Sequence, residues 1–336
     1  MRFGYVGSPD AVDEIGRIAA AAEREGFDFY AVGDSHTMWP DPYVLLAQAV
    51  MATERIRLGV LVTNPVTRHV AATANAVATL DAMSGGRLFL GIGTGDNAVL
   101  NVGKSPATVE EFGAAVVAIR DLMAGEPIAV DGHRIVRRWS QQKVPVLMAA
   151  EGPRTLRLAG QIADGVVVGV GLTQGSLLRA HQLLIEGATS VGRDLEEIEV
   201  WHIARWAIAE DRSTAIESIA SILAAAGHHA LGRAPAAKGV AEELVRPVQE
   251  LDRRYDSRYH AVRGSSPNAD LVVELGLLEY FADRFAIAGS PQDCVAKVRQ
   301  LEGWGVKRLV LTKANTGDMV EEITRWSDEV GSHLME

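Results

Sequence analysis

The chain is poor in the residues that staple a fold, span a bilayer or grip nucleic acid. Its 336 residues include a single cysteine, Cys294. One thiol cannot close an internal disulfide and leaves no Cys-rich zinc site, so a reducing compartment and no metal centre are expected. Basic residues are outnumbered, with 33 Lys and Arg against 43 Asp and Glu and a net charge of −10. That balance lacks the positive footprint that phosphate backbones require and excludes a nucleic-acid partner. No run of about 18 apolar residues exists, which excludes a membrane-spanning helix. Arg2 is the one basic residue before Ser8-Pro9-Asp10, so no secretory signal is read and a cytoplasmic protein is expected. What is present is ordinary globular usage, 48% hydrophobic and 23% charged, which excludes disorder for the bulk of the chain.

Short apolar strands alternate with amphipathic stretches. Arg2–Gly7 reads as a strand, and Asp10–Glu25 carries Val12, Ile15, Ile18, Ala19 and Ala22 at helical spacing before Gly26. Further strands are expected at Phe27–Val32, Ile56–Val62 and Arg87–Ile92, with helices at Pro42–Thr53, His69–Met83 and Pro106–Met123. Thr108 and Glu110-Glu111 take capping positions in the last of these. The alternation continues with strands Val144–Ala149, Gly165–Val168, Ile198–Ala207 and Arg308–Thr312. Their helices are Pro153–Ile162, Gln174–Val191, Ser213–Ala226 and Met319–Gly331. Eight strand–helix units in series imply parallel pairing through right-handed crossovers. The expected fold is α/β, a (β/α)8 TIM barrel over residues 1–336, rather than an open doubly wound sheet.

Two stretches stand outside this pattern. Ile128–Ile135, with Asp131-Gly132 at its centre, reads as a hairpin. Residues 227–286 read as a charged, mostly helical insertion between strands seven and eight, expected to be a lid or substrate wall. Its charges (Arg246, Glu250, Asp252, Arg253, Arg254, Asp256) suit a mobile cover better than a second core.

Catalytic groups of such a barrel lie beyond the C-terminal ends of its strands. Asp34 and His36 are one residue apart and project to the same side of an extended segment, where one could orient the other. Histidine as a residue type changes charge near neutral pH, and Trp39 offers a flat wall. The competing reading is a turn of small polar residues with Trp39 as packing. Gly91, Gly93 and Gly95 are spaced G-x-G-x-G after the fourth strand, which is not a dinucleotide fingerprint. They either admit a ligand to the backbone or form a tight turn. Gly152-Pro153 with Arg154 is an anion site or a simple helix start. The same two readings hold for Arg68 and His69. His228 and His229 are adjacent, face different ways on a helix and make a poor metal pair.

These strand ends resemble the bacterial-luciferase-like superfamily, (β/α)8 oxidoreductases that bind FMN or the deazaflavin F420. The carriers are Thr63-Asn64-Pro65-Val66-Thr67-Arg68-His69 and Ser84-Gly85-Gly86-Arg87 with Gly91-Ile92-Gly93-Thr94-Gly95-Asp96. Glu151-Gly152-Pro153-Arg154-Thr155, Ala163-Asp164-Gly165 and Phe285-Ala286-Ile287-Ala288-Gly289-Ser290-Pro291 complete them. They are most similar to the branch with methylenetetrahydromethanopterin reductase and F420-dependent sugar-phosphate and alcohol dehydrogenases. Val70 stands where that branch commonly has proline, and Ser35 separates an Asp and a His that are commonly adjacent.

The resemblance implies His36 as proton-transfer group, Asp34 as its orienting partner, Trp39 as substrate wall and Asp96 as second acid. It implies that Asp34, Thr63, Asn64, Thr94, Gly95, Asp96 and Asn97 approach the cofactor ring, with a bulge and a cis non-proline peptide after strand three. Ala150, Glu151, Gly152 and Gly169 would hold the cofactor's phosphate and tail. The implied cofactor is F420, with FMN as the alternative, and the implied assembly is a homodimer. The expected activity is hydride transfer between this cofactor and a small organic substrate. The alternatives are an FMN-dependent monooxygenase using O2 and a non-catalytic flavin-binding barrel.

Overall fold

A computed structural model describes residues 1–7, 12–130, 132–139, 141–260, 265–312 and 318–334; Ser8, Pro9, Asp10 and Asp131 of the readings above lie outside them. The first half runs β1 (Arg2–Val6), α1 (Ile15–Arg24), β2 (Phe29–Val32), α2 (Pro42–Ala52), β3 (Arg57–Thr63) and α3 (Val70–Ser84). It continues with β4 (Leu88–Ile92), a short α4 (Asn97–Leu100), α5 (Val109–Ala124) and the antiparallel pair β5 (Ile128–Val130) and β6 (His133–Ile135). Then come β7 (Val146–Ala150), α6 (Pro153–Ile162), β8 (Gly165–Val168), α7 (Gln174–Ser190) and β9 (Glu199–Ile208). After β9 lie α8 (Arg212–Ser218), α9 (Ala220–Leu231), α10 (Glu242–Arg254), α11 (Pro267–Glu274) and α12 (Leu278–Phe285). The chain closes with β10 (Ala286–Gly289), α13 (Pro291–Gly303), β11 (Arg308–Thr312) and α14 (Met319–Glu329).

The parallel ladder β1-β2-β3-β4-β7-β8-β9-β11 returns to β1, giving the closed eight-stranded barrel that the alternation predicts. Every residue of β2, β4 and β8 is buried, because each strand has side chains inside the barrel and helices outside it. The inner layer holds Phe29, Ala31, Leu61, Phe89, Leu147, Val167, Trp201 and Val310. Outward neighbours such as Tyr30, Val60, Leu90, Met148 and Val168 pack on the helices. Phe29 meets Phe89 and Trp201 edge-on, with centroids 5.0 and 4.6 Å apart, and the three rings plug the barrel. Gly4 and Gly59 make room for that plug. A Cβ there would lie 2.2 Å from the Phe29 ring and 2.6 Å from the Phe89 ring, respectively.

The structure corrects several readings. Ser213–Ala226 is not one helix but part of two, α8 and α9, broken at Ile219. The strand Ala286–Gly289 and helix α13 were not read from the sequence. Ala-Ile-Ala-Gly is too short and too weakly β-forming to announce itself, and it becomes a strand by pairing with Arg205–Ile208, the half of β9 that outruns β8. The helices after β9 also build a core of their own. Leu223, Val248, Leu251, Val272, Phe281 and Phe285 are buried together against Ala207 and Ala288, which overturns the reading that their charges leave no second core. Arg246, Glu250, Arg253 and Arg254 lie on the outer side of α10, whose buried residues are Val248 and Leu251, and Asp252 faces His228.

Candidate active site

Above the aromatic plug the barrel wall thins toward its C-terminal mouth. By strand alternation Gly91 and Gly93 follow Phe89 on the inside, Ala149 follows Leu147 and Gly169 follows Val167. At Gly91 an added Cβ would lie 2.4 Å from Leu61, which fills the space, and at Gly93 it would meet Val62 and Ala149 at ordinary contact distances of 3.4 and 3.7 Å. Ala150, read as a cofactor contact, falls on the other parity and faces the helix layer. Its neighbour Ala149 takes the inner position.

The ends of β2 and β3 are stitched together. Thr63 Oγ1 donates to Asp34 Oδ2 over 2.6 Å, and both residues are buried. Asn64 Oδ1 accepts from the amides of Val66 and Thr67, both at 2.9 Å, so it shapes the loop that carries it. The β3–β4 register shifts between Val60 and Thr63, and the Leu61–Val62 peptide is cis.

Asp34 and His36 are not brought together by a hydrogen bond. Beyond β2 the chain turns, with Met38 and Trp39 amides donating to Ser35 O, so the same-side rule for extended residues lapses. His36 is exposed and bonded to none of the described residues; Trp39, three residues on, is half-buried. His69 caps α3, its Nδ1 accepting from the Ala71 amide, and Arg68 pairs with Asp41. The Gly152 amide donates to Thr155 Oγ1 of its own helix. Both are helix starts. Asn97 is buried at the head of α4, and Thr94 O accepts from the Ala107 amide. Gly95 has φ +104°, and a Cβ would lie 2.5 Å from Val99, so the backbone itself demands glycine there.

The densest chemistry joins three separated elements. His229 on α9 places Nδ1 2.9 Å from Asp96 Oδ2 and Nε2 3.3 Å from Glu151 Oε2. His229 is exposed, with solvent reaching 45% of its side chain. The Glu151 charge and the bond to Asp96, working against burial, raise His229 to about 9. Burial alone would raise the Asp96 carboxyl; the bond and charge of His229, with His260 and His228 nearby, outweigh it and bring Asp96 to about 2. A group held ionised in this way is a poor proton donor in the ligand-free chain.

Arg205, on β9, has Nε and Nη1 buried with no hydrogen-bond partner among the described residues, and burial pulls its guanidinium down to about 10 against the attraction of Glu151. His228 turns the other way. It stacks on Tyr255 at 4.0 Å and lies 2.8 Å from Asp252, out of line for a hydrogen bond. Burial brings His260 to about 4, and its Nδ1 is hydrogen-bonded with Tyr255 Oη over 2.7 Å. His229 and Arg205 were missed in the sequence: a second histidine on an insertion helix and one arginine in a strand have no spacing that marks them. A cavity of about 380 Å³ elsewhere, between α3 and residues 135–139, offers no comparable chemistry. Its Arg137 is spent on the carbonyls of Leu122, Met123 and Trp139.

Buried polar atoms left open at one end of a barrel, above a wall of glycine and alanine, are arranged to receive a small molecule; the chain is an enzyme of the (β/α)8 class. It belongs to the family described as luciferase-like monooxygenase, whose pattern matches residues 2–308. It is 31% identical over 326 residues to 5,10-methylenetetrahydromethanopterin reductase of Methanolobus tindarius, covering 92% of this chain and 93% of that one. It is 28% identical to F420-dependent glucose-6-phosphate dehydrogenase of Gordonia bronchialis, over 92% of this chain and 90% of the other. The solved coenzyme F420-dependent tetrahydromethanopterin reductase of Methanopyrus kandleri superposes with a TM-score of 0.79 at 25% identity, covering 99% of both chains. No helix among the described residues is long and apolar enough to cross a membrane.

Proposed function

We propose that the chain is an oxidoreductase that moves a hydride between F420 and a carbon of a small organic substrate. The observation that carries this reading is the stepped inner wall, with an aromatic floor at Phe29, Phe89 and Trp201 and small residues above it. A flat ring system fits such a step. The unpartnered Ser35 Oγ and the Arg205 nitrogens supply polar atoms for its edges or for an anionic group of the ligand. When bound, the deazaflavin supplies the position that takes up or gives the hydride. Asp34, Thr63, Asn64, Thr94, Gly95, Asp96 and Asn97 line one side of its place, with Glu151, Gly152 and Gly169 on the other. Trp39 walls the substrate, and exposed His36 exchanges the substrate proton with solvent. Helices α9–α12 cover the mouth and govern which substrate enters.

The reading includes a cytoplasmic location and a homodimer. Val44 and Met51, apolar and exposed on α2, support the second, and light scattering tests it. Parallel titrations of the purified chain with F420 and FMN, read by fluorescence quenching, test the cofactor. F420 binding with oxygen-independent turnover is the expected result. Tight FMN binding with oxygen-dependent turnover would overturn it in favour of a flavin monooxygenase.

A further inference from the structure

The helices after β9 touch the barrel's carboxylates through one imidazole. His229 stands on the last turn of α9 and reaches the end of β4 and the end of β7 at once. Nδ1 is hydrogen-bonded to Asp96 Oδ2, while Nε2 faces Glu151 Oε2 as a charge contact at 3.3 Å, and a ring held between two carboxylates is favoured in its doubly protonated form. The contacts use Asp96 Oδ2 and Glu151 Oε2. Asp96 Oδ1 and Glu151 Oε1 have no hydrogen-bond partner among the described residues.

We propose that His229 is a positioning residue of the site: it clamps α9 across the barrel mouth through one oxygen of each carboxylate and leaves the other two oxygens as paired acceptors for a ligand bearing hydroxyl or N–H donors. This rests on the hydride-transfer reading above. One ring nitrogen is hydrogen-bonded to a carboxylate and the other faces one, so His229 acts through the carboxylates it orients. Gly169 belongs to the same arrangement. A Cβ there would lie 2.2 Å from Glu151 Oε1, the oxygen the clamp leaves free. Any larger residue would push that acceptor out of place.

The groups facing His229 leave it as the cation the two carboxylates share. Asp96 and Glu151 face it from the strand ends, and Arg205 from β9 repels it. His228, its helix neighbour, is turned to Tyr255 and Asp252. His260 lies near by, hydrogen-bonded with Tyr255 Oη, and burial keeps it neutral at ordinary pH.

The test uses the full chain with and without F420, as wild type, His229→Gln and His229→Ala. Nitrogen NMR of the ligand-free protein, with ¹⁵N-labelled histidine, should show both His229 nitrogens protonated at neutral pH, titrating near 9. In His229→Ala, amide hydrogen exchange across α9 should quicken at least about tenfold while barrel strands keep their protection. F420 affinity of the wild type should fall as pH rises through about 9. That of His229→Gln, which carries no charge, should be lower and flat over the same range. Padding alone would lower affinity equally at every pH. A singly protonated ring at neutral pH, or unchanged α9 exchange in His229→Ala, would overturn the clamp. Should His229→Ala fail to fold, Asp96→Asn serves instead, since it must return the His229 titration toward its ordinary value. A clamp seen by NMR in a chain that binds no F420 sinks the hydride reading alone; F420 binding to a chain with a neutral His229 sinks the clamp alone.

Discussion

The two ends of this barrel treat charge in opposite ways. At the N-terminal end, Glu199 at the start of β9 takes Arg57 at 3.0 Å, with Arg308 and Arg2 within 3.8 Å, and Arg2 also pairs with Asp28. Each charge there has an opposite within reach. At the C-terminal end Arg205 has no ion pair among the described residues, Ser35 Oγ has no partner, and two carboxylates share one imidazole. Leaving a buried charge without an opposite costs stability, so an end that does this with Arg205 is organised for something other than stability. Finished charge marks the structural end of the barrel, and unfinished charge marks the ligand end.

The comparison can be broken or sharpened by substitution. The largest effect is expected at the floor between the two ends. Trp201→Ala removes a ring packed on Phe29 and should cost about 3–5 kcal/mol in urea unfolding. A loss below about 1 kcal/mol would show that the plug is not a core. Next, Glu199→Gln should destabilise by about 1–3 kcal/mol, because three arginines lose a shared partner. Arg205→Met, at the other end, should leave the unfolding midpoint unchanged or raised and weaken ligand binding at least about tenfold. Equal destabilisation by the two variants would erase the distinction between the ends.

A pH series sharpens it further. His229 is held at about 9, above its ordinary 6.5, so its stabilisation is complete below about 6.5 and disappears as pH rises through about 9. Asp96 is held at about 2, below its ordinary 3.8, so its contribution is present above about 3.8 and is lost as pH falls through about 2. Denaturant unfolding between pH 7 and 10 should therefore show an alkaline loss that His229→Gln abolishes. The smallest effect on stability belongs to His36→Ala. His36 is exposed and bonds to none of the described residues, so stability should stay within about 0.5 kcal/mol while turnover falls by about 10²–10⁴. Unchanged turnover would remove His36 from the chemistry.

Much of the mouth could be read before the fold was known, because barrel topology sends every strand end to one face. Asp34, Asp96, Glu151 and Gly169 were found by that rule. The rule specifies a place along the chain and not a direction in space. Asp34 was expected to hold His36 and holds Thr63 instead, because two amides turn back to Ser35 O where the strand was taken to continue. Ala150 was placed one residue out of phase with the inner wall, an error that strand alternation turns into the opposite face.

The sequence by itself determined the barrel, since alternating strand and helix periods with an apolar run in each strand have few ways to bury both strand faces. It also determined the floor's components, because aromatic and glycine positions are written in the strands. Only the tertiary structure decided the pairings that matter at the mouth. His229 lies 133 positions from Asp96 in the chain, and nothing local in either segment selects the other. Their meeting depends on where the packed core of Leu223, Leu251 and Phe281 seats α9, a sum of apolar contacts that side-chain spacing does not encode.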